Sequence, residues 1–584
     1  MSHELSSAKE QLCSALNRYA RVCSSTRDAC LNGGQINSIS ELCTNLVKEA
    51  NDITSYIQQL EGALTAVQAA RNSISKISPI SNLPAEILTC IFKLAASGQP
   101  CLVQRGYSGK ISNIKYPLYP DSLAHVCSFW RRVATNTPNL WTHIDVALDH
   151  SLNPGLFARA KVYATRAGQL PLEIHISDPG SEREKARASA IREGKLKPGQ
   201  PGYDPSHVWH DLHDFQFLAS DSVNIKTLEM DLNVHNRYRE TYYTMLEYFF
   251  DRCKPGVLTK YIARCSPWVY SPFIEPAETP HSDDGALLAV PIRQLDELWL
   301  GISSIRINGL FPHWGSKIYH KLVELYIDEG VPNINESELV NILRASPKLQ
   351  VFHIQVALDE LVEDESITRV HLEDLRELSL MIRDDPEAES IPNILRWITT
   401  GSKPLQLSLV DTPREVADFC SRANVARLFI WCPGRLASLL NQCRRLETLV
   451  LNARDAGTND LSSILDDDFY DSDGEFGLAS KSISPSTTRI DTLYLLWHSV
   501  ITFEEVKVAV EKYSIQRLLI YYGRLSYQTD AGSIISENTR NIRAKLSTIT
   551  ACPNIEYHPD GYPESWTEDE PYDADGWIRE SLRS

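Results

Sequence analysis

Apolar residues recur along this chain with two different periods, and the change of period divides it. Over residues 4–30 and 37–77 the spacing predicts two helices joined by Asn32, Gly33 and Gly34, whose glycines supply the positive φ that a helix reversal requires. In the second helix Ile39, Leu46, Ile53, Leu60, Val67 and Ile74 recur every seventh residue, with Leu42, Glu49, Tyr56, Ala63, Ala70 and Ile77 as companions. Leu5, Leu12 and Tyr19 offer the same interval in the first helix. A heptad seam of this kind predicts a coiled coil, either an antiparallel hairpin within one chain or a seam between two chains, with Glu49 its weak point.

The next stretch reads as short helices. Pro84 and Glu86 suit the first turn of a helix, where a missing N–H costs nothing and an acid meets the positive end of the dipole. Ile87, Leu88, Ile91, Phe92 and Ala95 then line one face, with Phe92 expected in the core. A polar insert follows over 98–120. Asp121 is placed to cap a second helix on which Leu123, Val126, Cys127, Trp130 and Ala134 share a face, with Val126 also expected inside. Residues 140–146 read as a strand.

Beyond it a short pattern repeats: apolar, two residues, apolar, one residue, apolar. It appears as Ile225/Leu228/Met230, Leu295/Leu298/Leu300, Leu322/Leu325/Ile327, Leu349/Phe352/Ile354 and Leu375/Leu378/Leu380, and in trios beginning at Pro404, Val425, Leu446, Ile490 and Ile515. From 295 to 446 the trios recur about every 21–29 residues, in or near the leucine-rich-repeat period, with helical stretches between them. A degenerate unit is expected near Leu258, preceded by a helix at about 238–252. Strand plus helix per unit predicts an irregular solenoid, because one unit cannot bury its apolar face alone. The repeats lack an asparagine eight residues after the first leucine; Ser303, Gly330, Ala357 and Arg383 stand there. In each strand the residues between the leucines face outward. These include Glu297 and Trp299, Glu324 and Tyr326, Val351 and His353, Glu377 and Ser379, Arg427 and Phe429, and Arg517 and Leu519. Trp299, Tyr326 and His353 are expected to stack into an aromatic stripe flanked by acids, a surface for a basic or aromatic protein segment. For Arg427, Arg444, Arg445 and Arg517 two readings stand open, contact with a phosphate on a target and the ordinary solvation of arginines on repeat edges, and the sequence does not say whether recognition depends on phosphorylation.

Composition narrows the partners. A net charge of −17 makes bulk electrostatic binding to nucleic acid or an anionic membrane unfavourable. No apolar run is long enough to predict a transmembrane helix, and residues 1–4 carry no secretory pattern, so a cytoplasmic or nuclear chain is expected. The 13 cysteines are odd in number and never spaced C-x-x-C, which predicts reduced thiols. No nucleotide-loop, nucleophile-elbow or zinc-ligand spacing occurs. The acidic run Asp466–Asp473 lacks calcium-loop spacing, and His125 and Cys127, two apart on a helix, do not face each other. The expectation is a chain without catalytic site, metal or cofactor. Residues 180–206, 271–286 and the acidic tail after Asp560, with Trp566 and Trp577, read as exposed segments.

Leu83-Pro84-x-Glu86-Ile87-Leu88-x-x-Ile91-Phe92 resembles the opening of an F-box. Leu123-Ala124-His125-Val126-Cys127-Ser128-Phe129-Trp130-Arg131-Arg132-Val133-Ala134, followed by Leu140-Trp141, resembles its second half. The likeness covers residues 80–146. A loop insert between the halves and an N-terminal helical hairpin are features of F-box-like proteins of mushroom-forming fungi. The resemblance implies a small helical module that binds the Skp-type adaptor of a cullin–RING ubiquitin ligase, with a repeat domain holding a protein substrate. It implies Leu83, Pro84, Ile87, Leu88, Ile91, Leu123, Trp130 and Trp141 as adaptor contacts. For the substrate the residues of choice are Glu297, Trp299, Glu324, Tyr326, His353 and Arg427. The alternative is a repeat scaffold whose F-box no longer recruits a ligase. The expected organisation is mixed α+β and α/β: a helical coiled-coil hairpin over 1–78, an F-box-like module over 79–146, an irregular leucine-rich-repeat solenoid over 147–559 and a tail over 560–584.

Overall fold

The computed structural model describes residues 2–32, 39–72, 80, 83–97, 120–147, 153–177, 192, 195, 215, 224–233, 239–266, 273–278, 286–309, 311–328, 333–362, 368–382, 389–431, 433, 436–443, 445–453, 461–465, 488–496, 501–521, 525–528, 534–536 and 539–558. Gly33 and Gly34 of the reversal, the heptad positions Ile74 and Ile77, residues 98–119 of the insert, the acidic run Asp466–Asp473, Arg444 and the tail lie outside them. The chain divides into two compact units, residues 1–90 with 125–131, and residues 91–124 with 132–584.

The first unit contains the two long helices, α1 (Ser2–Leu31) and α2 (Ile39–Asn72). The Tyr19 hydroxyl on α1 donates to the Glu49 carboxylate on α2, and this bond, ahead of burial, pushes the phenol pKa up to about 12. Glu49, the weak point of the heptad, thus carries a cross-helix contact. The heptad leucines themselves stay open: Leu46, Ile53, Leu60 and Val67 are all exposed, as are Leu5 and Leu12.

Three short helices follow: α3 (Ala85–Ser97), α4 (Asp121–His125) and α5 (Ser128–Thr135). The second unit is built on one parallel sheet of 14 strands whose order follows the chain. They are β1 (His143–Ala147), β2 (Leu172–Ser177), β3 (Ile225–Asn233), β4 (Lys260–Ser266), β5 (Ser304–Asn308), β6 (Glu324–Ile327) and β7 (Val351–Ile354). Then come β8 (Glu377–Leu380), β9 (Leu405–Leu409), β10 (Val425–Ile430), β11 (Arg445–Asn452), β12 (Arg489–Leu496), β13 (Arg517–Tyr521) and β14 (Asn554–His558). Between them lie α6 (Asn153–Ala167), α7 (Arg239–Arg252), α8 (Ile292–Trp299), α9 (Glu336–Ala345), α10 (Ser390–Trp397) and α11 (Glu415–Arg422). The series closes with α12 (Ala437–Leu440), α13 (Leu461–Leu465), α14 (Phe503–Tyr513) and α15 (Thr539–Leu546). Among the described residues no helix is long and apolar enough to cross a membrane.

Register explains the repeated trios. Leu325, Phe352, Leu378, Leu407, Leu428, Leu449 and Leu493 are partners on successive strands and form a fully buried row. Ile327, Ile354, Leu380, Leu409, Ile430, Leu451 and Leu495 form a second row two residues on. Burying each such side chain contributes roughly 1.5–3 kcal/mol. Helix ends are set locally. Thr502 and Glu505 form a capping box at α14, the Glu505 N–H donating to Thr502 Oγ1 at 3.2 Å and the Thr502 N–H to Glu505 Oε2 at 2.6 Å. The successive helices α9 and α10 are tied by a buried ion pair: the Glu336 carboxylate at the start of α9 accepts from Arg396 Nη2 and from the Trp397 indole N–H on α10, both at 2.6 Å.

One expected strand is a helix. Leu295, Leu298 and Trp299 belong to α8, and the strand of that unit lies at β5, where Ile305 and Ile307 enter the buried rows. A three-residue spacing of leucines satisfies one helix face as well as a strand entry, and Pro291, just before α8, favours the helix. The degenerate unit near Leu258 is β4, preceded by α7.

Candidate functional site

Two surfaces follow from this framework. The first is α3, whose two faces differ. The Leu88 N–H donates to the Pro84 carbonyl at 3.1 Å, closing the first turn at a place where proline forfeits no helical hydrogen bond. Leu88 and Phe92, four apart, are wholly buried. On the neighbouring stripe Ile87, Ile91 and Leu94 are 47%, 37% and 74% exposed. That i, i+4, i+7 spacing puts three apolar side chains on one line. Pro84 is exposed, and Leu83 and Trp130 are half-buried.

Two features of the second half correct the sequence reading. The helix expected from Asp121 to Ala134 is broken at Val126, so α4 and α5 are separate. The Cys127 thiol accepts the Trp130 N–H at 3.4 Å, standing where serine or aspartate commonly caps a helix. Val126, expected in the core, falls at the break and is 52% exposed. Leu88, Leu123 and Trp141, expected as adaptor contacts, are instead buried within the chain. Trp141 shows why. Its indole N–H donates to the Ala134 carbonyl at 2.8 Å, its ring meets Tyr163 of α6 edge-on with centroids 5.0 Å apart, and the Arg166 guanidinium lies 4.2 Å over it. It fastens the turn after α5 to α6.

The second surface is the sheet face opposite the leucine rows. Alternation places Glu324, Tyr326, His353 and Arg427 on it, but not Glu297 and Trp299; Tyr326 and His353, expected to face outward, are buried there because neighbouring side chains of the same face cover them. Glu297 is exposed on α8 beside Arg293, and Trp299 is buried on the same helix. The stripe therefore runs Arg306, Tyr326, His353: the Arg306 guanidinium lies 5.3 Å over the Tyr326 ring, and the Tyr326 and His353 rings meet edge-on at 4.5 Å. His353 Nε2 contacts Glu377 Oε1 at 2.8 Å, and Arg306 pairs with Asp328 at 2.9 Å.

This face changes character along the sheet. Over β8–β13 it carries a buried apolar cluster of Met381, Phe429, Trp431, Val450, Leu496, Leu519 and Tyr521, beside the polar Ser379, Gln406 and Ser408. The arginines for which a phosphate contact is one reading are paired here with carboxylates: Arg427 with Glu447 at 3.2 Å, Arg445 with Asp491 at 2.5 Å and Arg517 with Glu556 at 2.8 Å.

Over β1–β3 the face is charged. His143 partners Glu173 across β1 and β2, and Asp145 partners His175. Two imidazoles thus occupy one diagonal of a square and two carboxylates the other. His143 Nε2 lies 3.2 Å from Asp145 Oδ1 and its Nδ1 3.8 Å from Glu173 Oε2. His175 Nδ1 lies 3.3 Å from Glu229 Oε2, and Arg264 holds the other Glu229 oxygen at 2.5 Å. Burial disfavours the charged form of Asp145, but its bond to His143 and the charges of His143, His175 and Arg159 outweigh it and hold the carboxyl below its ordinary pKa. The His143 hydrogen bond lowers Glu173; at Glu229 burial is outweighed by Arg264 and His175. A cavity of about 440 Å³ opens beside the square, lined by His143, Glu173, His175, Lys226, Glu229 and Lys260 among others. None of these residues stood out in the sequence, because the square exists only once β1 and β2 are paired. No protein-family model matches the chain, and no curated protein matches it.

Proposed function

We propose that this chain is a non-catalytic substrate-recognition subunit of a cullin–RING ubiquitin ligase, binding the Skp-type adaptor through α3–α5 and a protein substrate through an irregular leucine-rich-repeat solenoid. The observation that carries the reading is the exposed stripe of Ile87, Ile91 and Leu94 on a helix whose other face is fully buried. Removing such a stripe from water against a partner helix is favourable at roughly 25 cal/mol per Å² of apolar area. The stripe coincides with the segment that resembles an F-box, and Val126 adds a fourth open apolar residue from the same segment. A parallel sheet whose strands follow chain order supports the solenoid part of the reading. The mechanism is proximity: one part holds the ligase, the other the target, and effective concentration at the target lysines rises without chemistry by this chain. Capture of the intact chain from cell extract, with mass spectrometry of what it retains, tests this. The expected result is a Skp-type adaptor and a cullin with the wild type and neither with Ile87→Asp plus Ile91→Asp, whose exposed positions leave folding intact. If the wild type retains no adaptor, the chain is a repeat scaffold.

A further inference from the structure

The square on β1 and β2 has a chemistry that the adaptor reading does not use. We propose that His143, Asp145 and His175 bind a divalent transition-metal ion of the zinc class.

The donor set is the first argument. Imidazole nitrogen and carboxylate oxygen are zinc ligands at about 2.0–2.2 Å, so two ligand atoms of a tetrahedral site stand roughly 3.4 Å apart. His143 Nε2 and Asp145 Oδ1 are already 3.2 Å apart. One ligand atom from each of the three residues lies within 4.8 Å of the others. Closing that triangle around an ion requires each atom to move inward by less than about 1 Å, which side-chain rotation supplies.

The surroundings are the second argument. A metal-bound histidine characteristically donates its other ring N–H to a carboxylate, which fixes the tautomer and aims the ligand nitrogen. Each histidine has a carboxylate on its Nδ1 side: Glu229 stands 3.3 Å from His175, and Glu173 stands 3.8 Å from His143, a gap that side-chain rotation must close to form the hydrogen bond. His143 already turns its Nε2 toward Asp145, the second residue of the set, at 3.2 Å. Arg264 anchors Glu229, and Lys226 lies 3.7 Å from Glu173, so the outer carboxylates are themselves held. The rings stand 4.3 Å apart, tilted by 45°, as convergent rather than stacked imidazoles. The cavity beside them leaves the fourth coordination position to water.

The test uses the full chain stripped of metal with a chelator. Its exposed thiols, among them Cys13, Cys23, Cys30 and Cys43, are the competing site, so cobalt(II) serves as the probe. The expected result is one equivalent bound with visible d–d absorption, no thiolate charge-transfer band, and displacement by zinc. His143→Gln plus His175→Gln should weaken binding at least 100-fold, and Glu229→Gln roughly 10-fold. A second measurement needs no variant: zinc should slow diethyl pyrocarbonate modification of His143 and His175 about tenfold, with exposed His371 unaffected. No cobalt absorption at one equivalent, a thiolate band alone, binding unchanged in the double variant, or equal modification of all three histidines would each overturn the assignment.

Discussion

Leu60 on α2 and Leu449 on β11 sit in equally regular apolar patterns, yet the first is 39% exposed and the second is fully buried. The difference lies in how many neighbours each pattern recruits. A strand inside the sheet is flanked on both sides by strands of the same register, so Leu449 meets Leu428 and Leu493. A heptad helix has one sequence neighbour in the hairpin, and the seam leucines of α1 and α2 keep much of their surface in water. Regular patterning alone therefore does not complete a core; the number of partners supplied by the same chain decides it. α3 stands between the two cases, with one face finished and one left open.

Substitutions sharpen that contrast. The largest effect is expected at the buried ion pair: Arg396→Ala leaves the Glu336 carboxylate buried without its cation and should cost about 3–5 kcal/mol in denaturant unfolding of the sheet unit. Leu449→Ala opens a cavity in the leucine row and should cost about 2.5–5 kcal/mol by the same measurement. At Gly401 a Cβ would fall against the Glu373 carbonyl oxygen, so Gly401→Ala should destabilise by roughly 1–3 kcal/mol. Ser514 ends α14 in the left-handed region at φ +51°, and Ser514→Gly should stabilise by about 0.5–1 kcal/mol. Leu46→Ser with Leu60→Ser should move the sheet-unit transition by less than about 0.5 kcal/mol, since neither side chain is packed away. A hairpin pair as costly as Leu449→Ala would erase the distinction.

The period-2 alternation of the strands is legible because it is local: in nine of the ten trios the last two residues lie in strands of the sheet, and in five of those nine the first residue falls just before the strand. The trio at Leu295 is not, because leucines three apart fit a helix face equally well, and α8 takes them. Strand β5 carries a trio of the same spacing, Ile302/Ile305/Ile307, seven residues after Leu295, and it is this trio that enters the sheet. On α3 the sequence shows an apolar band, but which half is buried depends on what packs against it. Hence Ile87 and Ile91 stand open while Leu88 of the same band is closed, and Leu94, outside the band that the spacing picks out, is open as well. The resemblance implies a partner contact at Trp141, and its packing against α6, which lies outside the resembling segment, is not written in that segment's residues. The His143, Asp145 and His175 square is a property of strand register, invisible as spacing along one strand.

The most direct measurement is a calorimetric titration of the full chain with a purified Skp-type adaptor, comparing wild type, Ile91→Glu and a metal-stripped sample. The account predicts a one-to-one complex for wild type, at least 100-fold weaker binding for Ile91→Glu at unchanged thermal stability, and no dependence on the metal. Equal affinity of wild type and Ile91→Glu, or no heat with either, would contradict the claim that the open stripe of α3 is where the ligase is held.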